Sequence, residues 1–154
     1  MDYLIEQGIK VDAIITDPPY AVTSYSWDQI IPFDQMWDKL SKLIKDDGAI
    51  VLFGNEPFSS SLRMSNPKFY RYDWKWIKTQ VTGFQNAKYQ PLRCYEDIMI
   101  FSKCGAVASA KPPMRYFPQG IIPVNLKVTT KPINYLGDKK SDEKVSYTQE
   151  EANF

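Results

Sequence analysis

The chain has 154 residues, 44% of them hydrophobic, and a formal net charge of +1, enough length and apolar content for one domain with a real core. It contains no histidine, so the commonest general base and metal ligand is missing, and neither a Ser-His-Asp nor a Cys-His mechanism is open to it. No apolar run approaches the ~18 residues of a membrane helix, and the acidic start Met1-Asp2-Tyr3-Leu4-Ile5-Glu6-Gln7 lacks the basic region that opens a signal peptide.

In chain order, residues 2–8 read as the end of a helix stopped by Gly8. Val11-Asp12-Ala13-Ile14-Ile15-Thr16 reads as a buried strand, followed by a loop rich in Tyr20, Thr23, Ser24, Tyr25, Ser26 and Trp27. Phe33, Met36, Trp37, Leu40, Leu43 and Ile44 recur at helical spacing with charges between them. This predicts an amphipathic helix, ended by Gly48 after Asp46-Asp47. Ala49-Ile50-Val51-Leu52-Phe53 predicts a second buried strand stopped by Gly54, and residues 58–64 a short helix. Arg71–Ile77 and Tyr95–Phe101 supply a third and a fourth strand, with Phe33, Trp37, Trp74 and Trp76 as core aromatics. Lys78, at a strand end, suits a structural and a substrate-facing role equally.

This order predicts an α/β sheet of about four strands, mainly parallel, with flanking helices. The first connection, residues 17–48, is long enough for a parallel crossover. After Lys103 the periodicity fades, and residues 105–154, rich in Pro, Lys, Asn and Thr, read as irregular.

The small net charge hides a segregation. Residues 1–60 carry 4 Lys and Arg against 10 Asp and Glu, residues 61–140 carry 14 against 4, and residues 141–154 carry 1 against 4. A basic middle segment fits a polyanionic partner, and it equally fits a solvated, loop-rich surface. Cys94 and Cys104 are too few and too irregularly spaced for a disulfide framework or metal motif, and read as reduced thiols of a cytoplasmic protein.

The informative stretch is Asp17-Pro18-Pro19-Tyr20, at the carboxyl end of the first strand. The prolines fix φ and donate no N–H, while their carbonyls still accept hydrogen bonds. The turn can offer a carboxylate, rigid carbonyls and a flat ring to a planar, amino-bearing ligand such as a nucleobase with an exocyclic amine. A rigid turn with Asp17 capping a helix is the other reading of these residues. Ligands of open α/β sheets bind at strand carboxyl ends, and Phe53-Gly54-Asn55-Glu56 occupies the next such end.

Asp17-Pro18-Pro19-Tyr20 after an apolar strand resembles the catalytic motif of the DNA amino-methyltransferases, which move a methyl group from S-adenosylmethionine to adenine N6 or cytosine N4. The likeness continues through Trp27-Asp28, the helix at 33–46, Gly48-Ala49-Ile50-Val51-Leu52-Phe53-Gly54, Glu56-Pro57-Phe58, Trp74-Lys75-Trp76-Ile77-Lys78 and Arg93-Cys94-Tyr95-Glu96-Asp97-Ile98. It covers roughly residues 2–103. The resemblance implies part of a Rossmann-like methyltransferase sheet. The Asp17 carboxylate and the Pro18 carbonyl would hold the target amine, Pro19 would stiffen the turn, and Tyr20 would stack on a base extruded from the duplex. Asp17 would also border the cofactor, and aspartate at this position implies adenine as the target.

The chain departs from the family in one respect. The family holds S-adenosylmethionine on a glycine-rich turn, but no two of the glycines at 8, 48, 54, 83, 105, 120 and 137 are separated by a single residue. Permuted members of the family place the catalytic motif first, the target-recognition region next and the cofactor turn last. The chain resembles the first part of that arrangement: residues 1–104 as the catalytic-motif half, and 105–154 as part of the recognition region. It is expected to start after one strand of the family and to stop in or just past that region. Binding of S-adenosylmethionine is then expected to need another segment, and the first strand to be left with a bare edge. That edge implies a homodimer or a complementary carboxyl-terminal methyltransferase segment as partner, besides DNA. Lys111, Arg115, Lys127, Lys131, Lys139 and Lys140 are candidate phosphate contacts, with Lys88 and Arg93 nearer the cleft. A nucleic-acid-binding remnant without catalysis, or a fragment that completes another protein's sheet, are the alternatives.

Overall fold

The computed structural model describes residues 1–122 together with residues 127–129, 146–148 and 151–152. Among these, α1 (Asp2–Glu6), β1 (Val11–Thr16), α2 (Phe33–Leu43), β2 (Ile44–Gly54), α3 (Phe58–Ser65), β3 (Tyr70–Thr82), a 3₁₀ turn (Phe84–Asn86) and β4 (Arg93–Phe101) follow in sequence. Four short strands come later: β5 (Ile121–Ile122), β6 (Lys127–Thr129), β7 (Ser146–Thr148) and β8 (Glu151–Ala152). The chain divides into two compact units, residues 1–115 and 116–154, a later boundary than the expected one at 104. The second unit contains two short antiparallel pairs, β5 with β8 and β6 with β7, where an irregular segment was expected.

The first unit is a mixed α/β layer on a four-stranded sheet ordered β1-β2-β4-β3. The α/β class stands, but the expectation of mainly parallel strands is corrected. β1 and β2 are parallel, while β2–β4 and β3–β4 are antiparallel. Connection length explains the difference. Residues 17–43 can carry a crossover, whereas 83–92, between β3 and β4, are too short for one.

The helix α2 starts at Phe33 after Pro32, with Asp34 in its first turn and Lys42 in its last, each complementing the helix dipole. It buries Trp37, Leu40 and Leu43. These join Ile44, Ile50 and Leu52 of β2, Phe58 and Leu62 of α3, and Met99 and Phe101 of β4 in one core. Both longer helices therefore cover the same face of the sheet. On the opposite face Ile100 packs with Cys104 and Met114, and no described helix lies there. Trp74 and Trp76 point to that side and remain 55% and 49% exposed, which corrects their reading as core aromatics. Trp37 is buried as expected, and Phe33 packs at the edge of the main core. β1, read as a buried strand, is an edge strand with Ile15 69% exposed.

Gly48 does not end the helix, as its sequence context led one to expect. The chain enters β2 at Ile44 directly from α2, and Ile44 is fully buried. Val11 pairs with Ile44 and Ala13 with Ala49, so β2 advances five residues where β1 advances two. The extra length bulges, and Gly48 passes so close to β1 that a Cβ on it would lie 2.6 Å from the Asp12 carbonyl oxygen. Because the obstacle is backbone, Gly48→Ala is expected to destabilise the fold by about 1–3 kcal/mol. The midpoint of urea unfolding, compared with wild type, measures it.

Candidate active site

Asp17 follows the last residue of β1, where the carboxyl ends of β1 and β2 run level, Thr16 opposite Leu52. Asp17 is exposed and Pro18 buried, so the turn is anchored while its carboxylate faces outward. The Tyr20 hydroxyl donates a hydrogen bond to Asp17 Oδ1. The Tyr20 ring is backed by Phe58 of α3, with centroids 5.0 Å apart. Burial, then the bond to Asp17, pushes the Tyr20 phenol well above its usual range, so it stays a donor at neutral pH. Together Asp17, Pro18, Pro19, Tyr20 and Trp27 line a cavity of about 410 Å³, a volume that admits a planar heterocycle.

The loop beyond the motif is held by a residue whose role was not foreseen, Asp28. Its buried carboxylate accepts hydrogen bonds from the backbone N–H groups of Ala21 (2.9 Å), Val22 (2.9 Å) and Thr23 (2.7 Å) and from the Thr23 hydroxyl (2.7 Å). Ala21 has φ 56°, a left-handed conformation that an alanine holds only when its surroundings impose it. These bonds, the Thr23 hydroxyl first, keep the Asp28 carboxyl below its usual range. A group with a depressed folded pKa supports the fold above its unfolded value, ~3.9 for aspartate, and loses that support as pH falls through the folded value. Asp28→Ala at neutral pH, or acidification of the wild type below about pH 4, is expected to speed hydrogen exchange at the amides of Ala21, Val22 and Thr23 while core amides stay protected. The hint in the sequence was an aspartate closing a stretch that holds Thr23, Ser24 and Ser26, a residue type suited to bonding nearby backbone N–H groups.

At the end of β2, Asn55 Nδ2 lies 3.5 Å from Glu96 Oε1, and Glu96 is ion-paired with Lys78, both largely shielded from solvent. Lys78 is thus engaged within the sheet. Glu56 accepts hydrogen bonds from the Ser60 hydroxyl (2.7 Å) and from Arg63 (3.0 Å). Arg63 also reaches Asp73 and the buried Asp97. This network fastens α3, and with it the ring behind Tyr20, to the strands.

The candidate phosphate contacts are dispersed. Arg93 is exposed at the start of β4, near the carboxyl end of β2, and Lys88 is exposed on the preceding connection. Lys111 is exposed on the segment after β4. Arg115 pairs with Asp12 and Asp47, at the other end of β1 from Asp17, about 16 Å away at ~3.3 Å per strand residue. Lys127 falls in β6, and Lys131, Lys139 and Lys140 lie outside the described residues.

The described residues suit an amine acceptor better than they suit S-adenosylmethionine. The two prolines after β1 leave no backbone N–H there for a cofactor's carboxylate, and the sequence holds no two glycines separated by a single residue. Among the described residues no helix is long and apolar enough to cross a membrane.

Neither a family model nor a curated protein matches the chain. Among solved structures it is similar to M1.HpyAVI, at 21% identity over 66% of this chain and 50% of that chain, with a TM-score of 0.49. It is also similar to the M1.HpyAVI–SAM complex, at 19% identity over 88% of this chain and 57% of that chain, with a TM-score of 0.49. The chain spans about half the length of these solved structures.

Proposed function

We propose that this chain supplies the acceptor half of a DNA amino-methyltransferase, with adenine N6 as the target. The carrying observation is the Asp17–Tyr20 turn, an outward carboxylate and a backed aromatic ring on one cavity at a strand carboxyl end. The exocyclic amine of adenine is a poor nucleophile because its lone pair is delocalised into the ring. Hydrogen bonds accepted by the Asp17 carboxylate and the Pro18 carbonyl pull the amine toward tetrahedral geometry and localise that pair. Both acceptors are fixed in advance, so they stabilise the reacting geometry with little reorganisation. Tyr20, steadied by Phe58, stacks on the base, an interaction worth ~1–3 kcal/mol that offsets much of the cost of flipping it. The methyl donor is S-adenosylmethionine, held by a glycine-rich turn on another segment.

The test mixes the chain with tritiated S-adenosylmethionine and adenine-containing DNA, with and without a polypeptide carrying that turn. Transfer that needs both polypeptides supports the proposal. Absence of transfer with both present, while DNA is still bound in a salt-sensitive manner, favours a binding remnant instead. We place the completing segment, or a second copy, along the open edge of β1, where Ile15 is exposed. Ile15→Lys is accordingly expected to reduce self-association in light scattering. A wild-type monomer with a high melting temperature would count against this placement.

A further inference from the structure

A second cavity, of about 440 Å³, lies at the carboxyl end of β2. Its walls come from the turn after β2, from the connection between β3 and β4, and from the strand ends that this connection joins. Three carboxamides face it, those of Asn55, Asn86 and Gln90, with Thr82, Arg93 and Tyr95. Glu56 also lines it, but its charge is committed to Ser60 and Arg63. The side chains of Asn86, Gln90 and Arg93 make no hydrogen bond or ion pair to another described residue, so their polar groups are open to a ligand.

The connection is nevertheless well built. Gly83, at φ 93°, opens the 3₁₀ turn, and Asn86 N–H donates to the Gly83 carbonyl at 2.9 Å. The Asn86 carbonyl then accepts from Tyr89 N–H at 2.9 Å and Gln90 N–H at 3.0 Å. These successive turns place two carboxamides on one wall. A carboxamide presents a donor beside an acceptor, the pattern that matches the amine and ring nitrogen of adenine. The Arg93 guanidinium, which also lines the cavity, suits a phosphate.

We propose that this cavity binds the nucleotide next to the target base on the same DNA strand, an adenine held by Asn55, Asn86 and Gln90 with its phosphate at Arg93. The proposal rests on the acceptor-site reading above, because the end of β2, which carries Asn55, lies beside the end of β1, which carries Asp17. It adds a preference for the neighbouring base.

The test is fluorescence anisotropy with the full chain and short single-stranded oligodeoxynucleotides. Each carries one target adenine with adenine, cytosine or an abasic site on one side of it, and a second series varies the other side. Adenine beside the target is expected to bind about tenfold or more tightly than the alternatives in one series. The double variant N86A/Q90A is expected to erase that preference, as is the volume-conserving N86D. R93A is expected to weaken all the oligonucleotides alike and to lower the salt slope by about one. Equal affinity for all neighbours, a preference that survives in N86A/Q90A and N86D, or failure to bind any oligonucleotide overturns the inference. AMP competing as well as an oligonucleotide would instead mark a free-nucleotide site and also overturn it. D17A separates the two claims. If it leaves binding of the target adenine unchanged while the neighbour preference persists, the acceptor-site reading falls and this cavity stands.

Discussion

Asp17→Ala is expected to lower methyl transfer in the reconstituted mixture by about 10²–10³-fold, the usual loss on removing one preorganised group at a reacting centre, and to leave stability within about 0.5 kcal/mol. The asymmetry follows from where the residue sits. Asp17 is exposed, and its described side-chain partner is the Tyr20 hydroxyl. Tyr20 is only partly buried, so water can replace that bond. A residue that merely capped the turn would show the reverse pattern, a loss in stability and little in transfer. Asp17→Asn separates charge from shape. It keeps an acceptor oxygen and loses the charge, so an intermediate rate is expected. Transfer of tritium, together with urea unfolding of each variant, measures both arms. Equal rates for wild type and Asp17→Ala would remove Asp17 from the acceptor site.

The parts of the fold that were legible in the sequence are those fixed by local pattern. The apolar run at 11–16 became β1 with those same bounds, and the helical spacing from Phe33 became α2. What the sequence did not disclose depends on partners far along the chain. Gly48 looks like a helix stop because glycine just past a helical pattern is a common one, but the β1–β2 bulge and the Asp12 carbonyl decide its place. Trp74 and Trp76 have the spacing of an inward face. Their exposure follows from both longer helices packing on the other side of the sheet. The same holds for the site. The motif at 17–20 is contiguous and could be read directly. The second cavity joins Asn55 to Asn86 and Gln90, and only the pairing of β2 and β3 with β4 brings those segments together.

Asp97→Ala is expected to cost about 3 kcal/mol, a large share of the ~5–15 kcal/mol that holds an ordinary domain. Asp97 is 2% exposed, lies in register with Gly54 on one side and Lys75 on the other, and pairs with Lys75 and with Arg63 at 3.0 Å. Removing it leaves two cations facing the remaining carboxylate of Asp73. Arg63 keeps Glu56 as well, which holds the loss toward the lower end of the range for a broken buried pair. Burial pushes the Asp97 carboxyl up, but Lys75, Ser59 and Arg63 outweigh it and the net shift is downward. The stabilisation is therefore present above the unfolded value of ~3.9 and is lost as pH falls through the folded value. Urea unfolding at neutral pH and again near pH 3 should show the gap between wild type and Asp97→Ala shrinking in acid. A second measurement separates this tether from simple packing. Arg63 links Asp97 to Glu56, and α3 carries both Arg63 and the Phe58 ring behind Tyr20. If that link holds the site in shape, Asp97→Ala weakens oligonucleotide binding even below its unfolding transition, whereas a packing loss elsewhere in the core, such as Leu40→Ala, lowers stability and leaves binding of the folded protein unchanged.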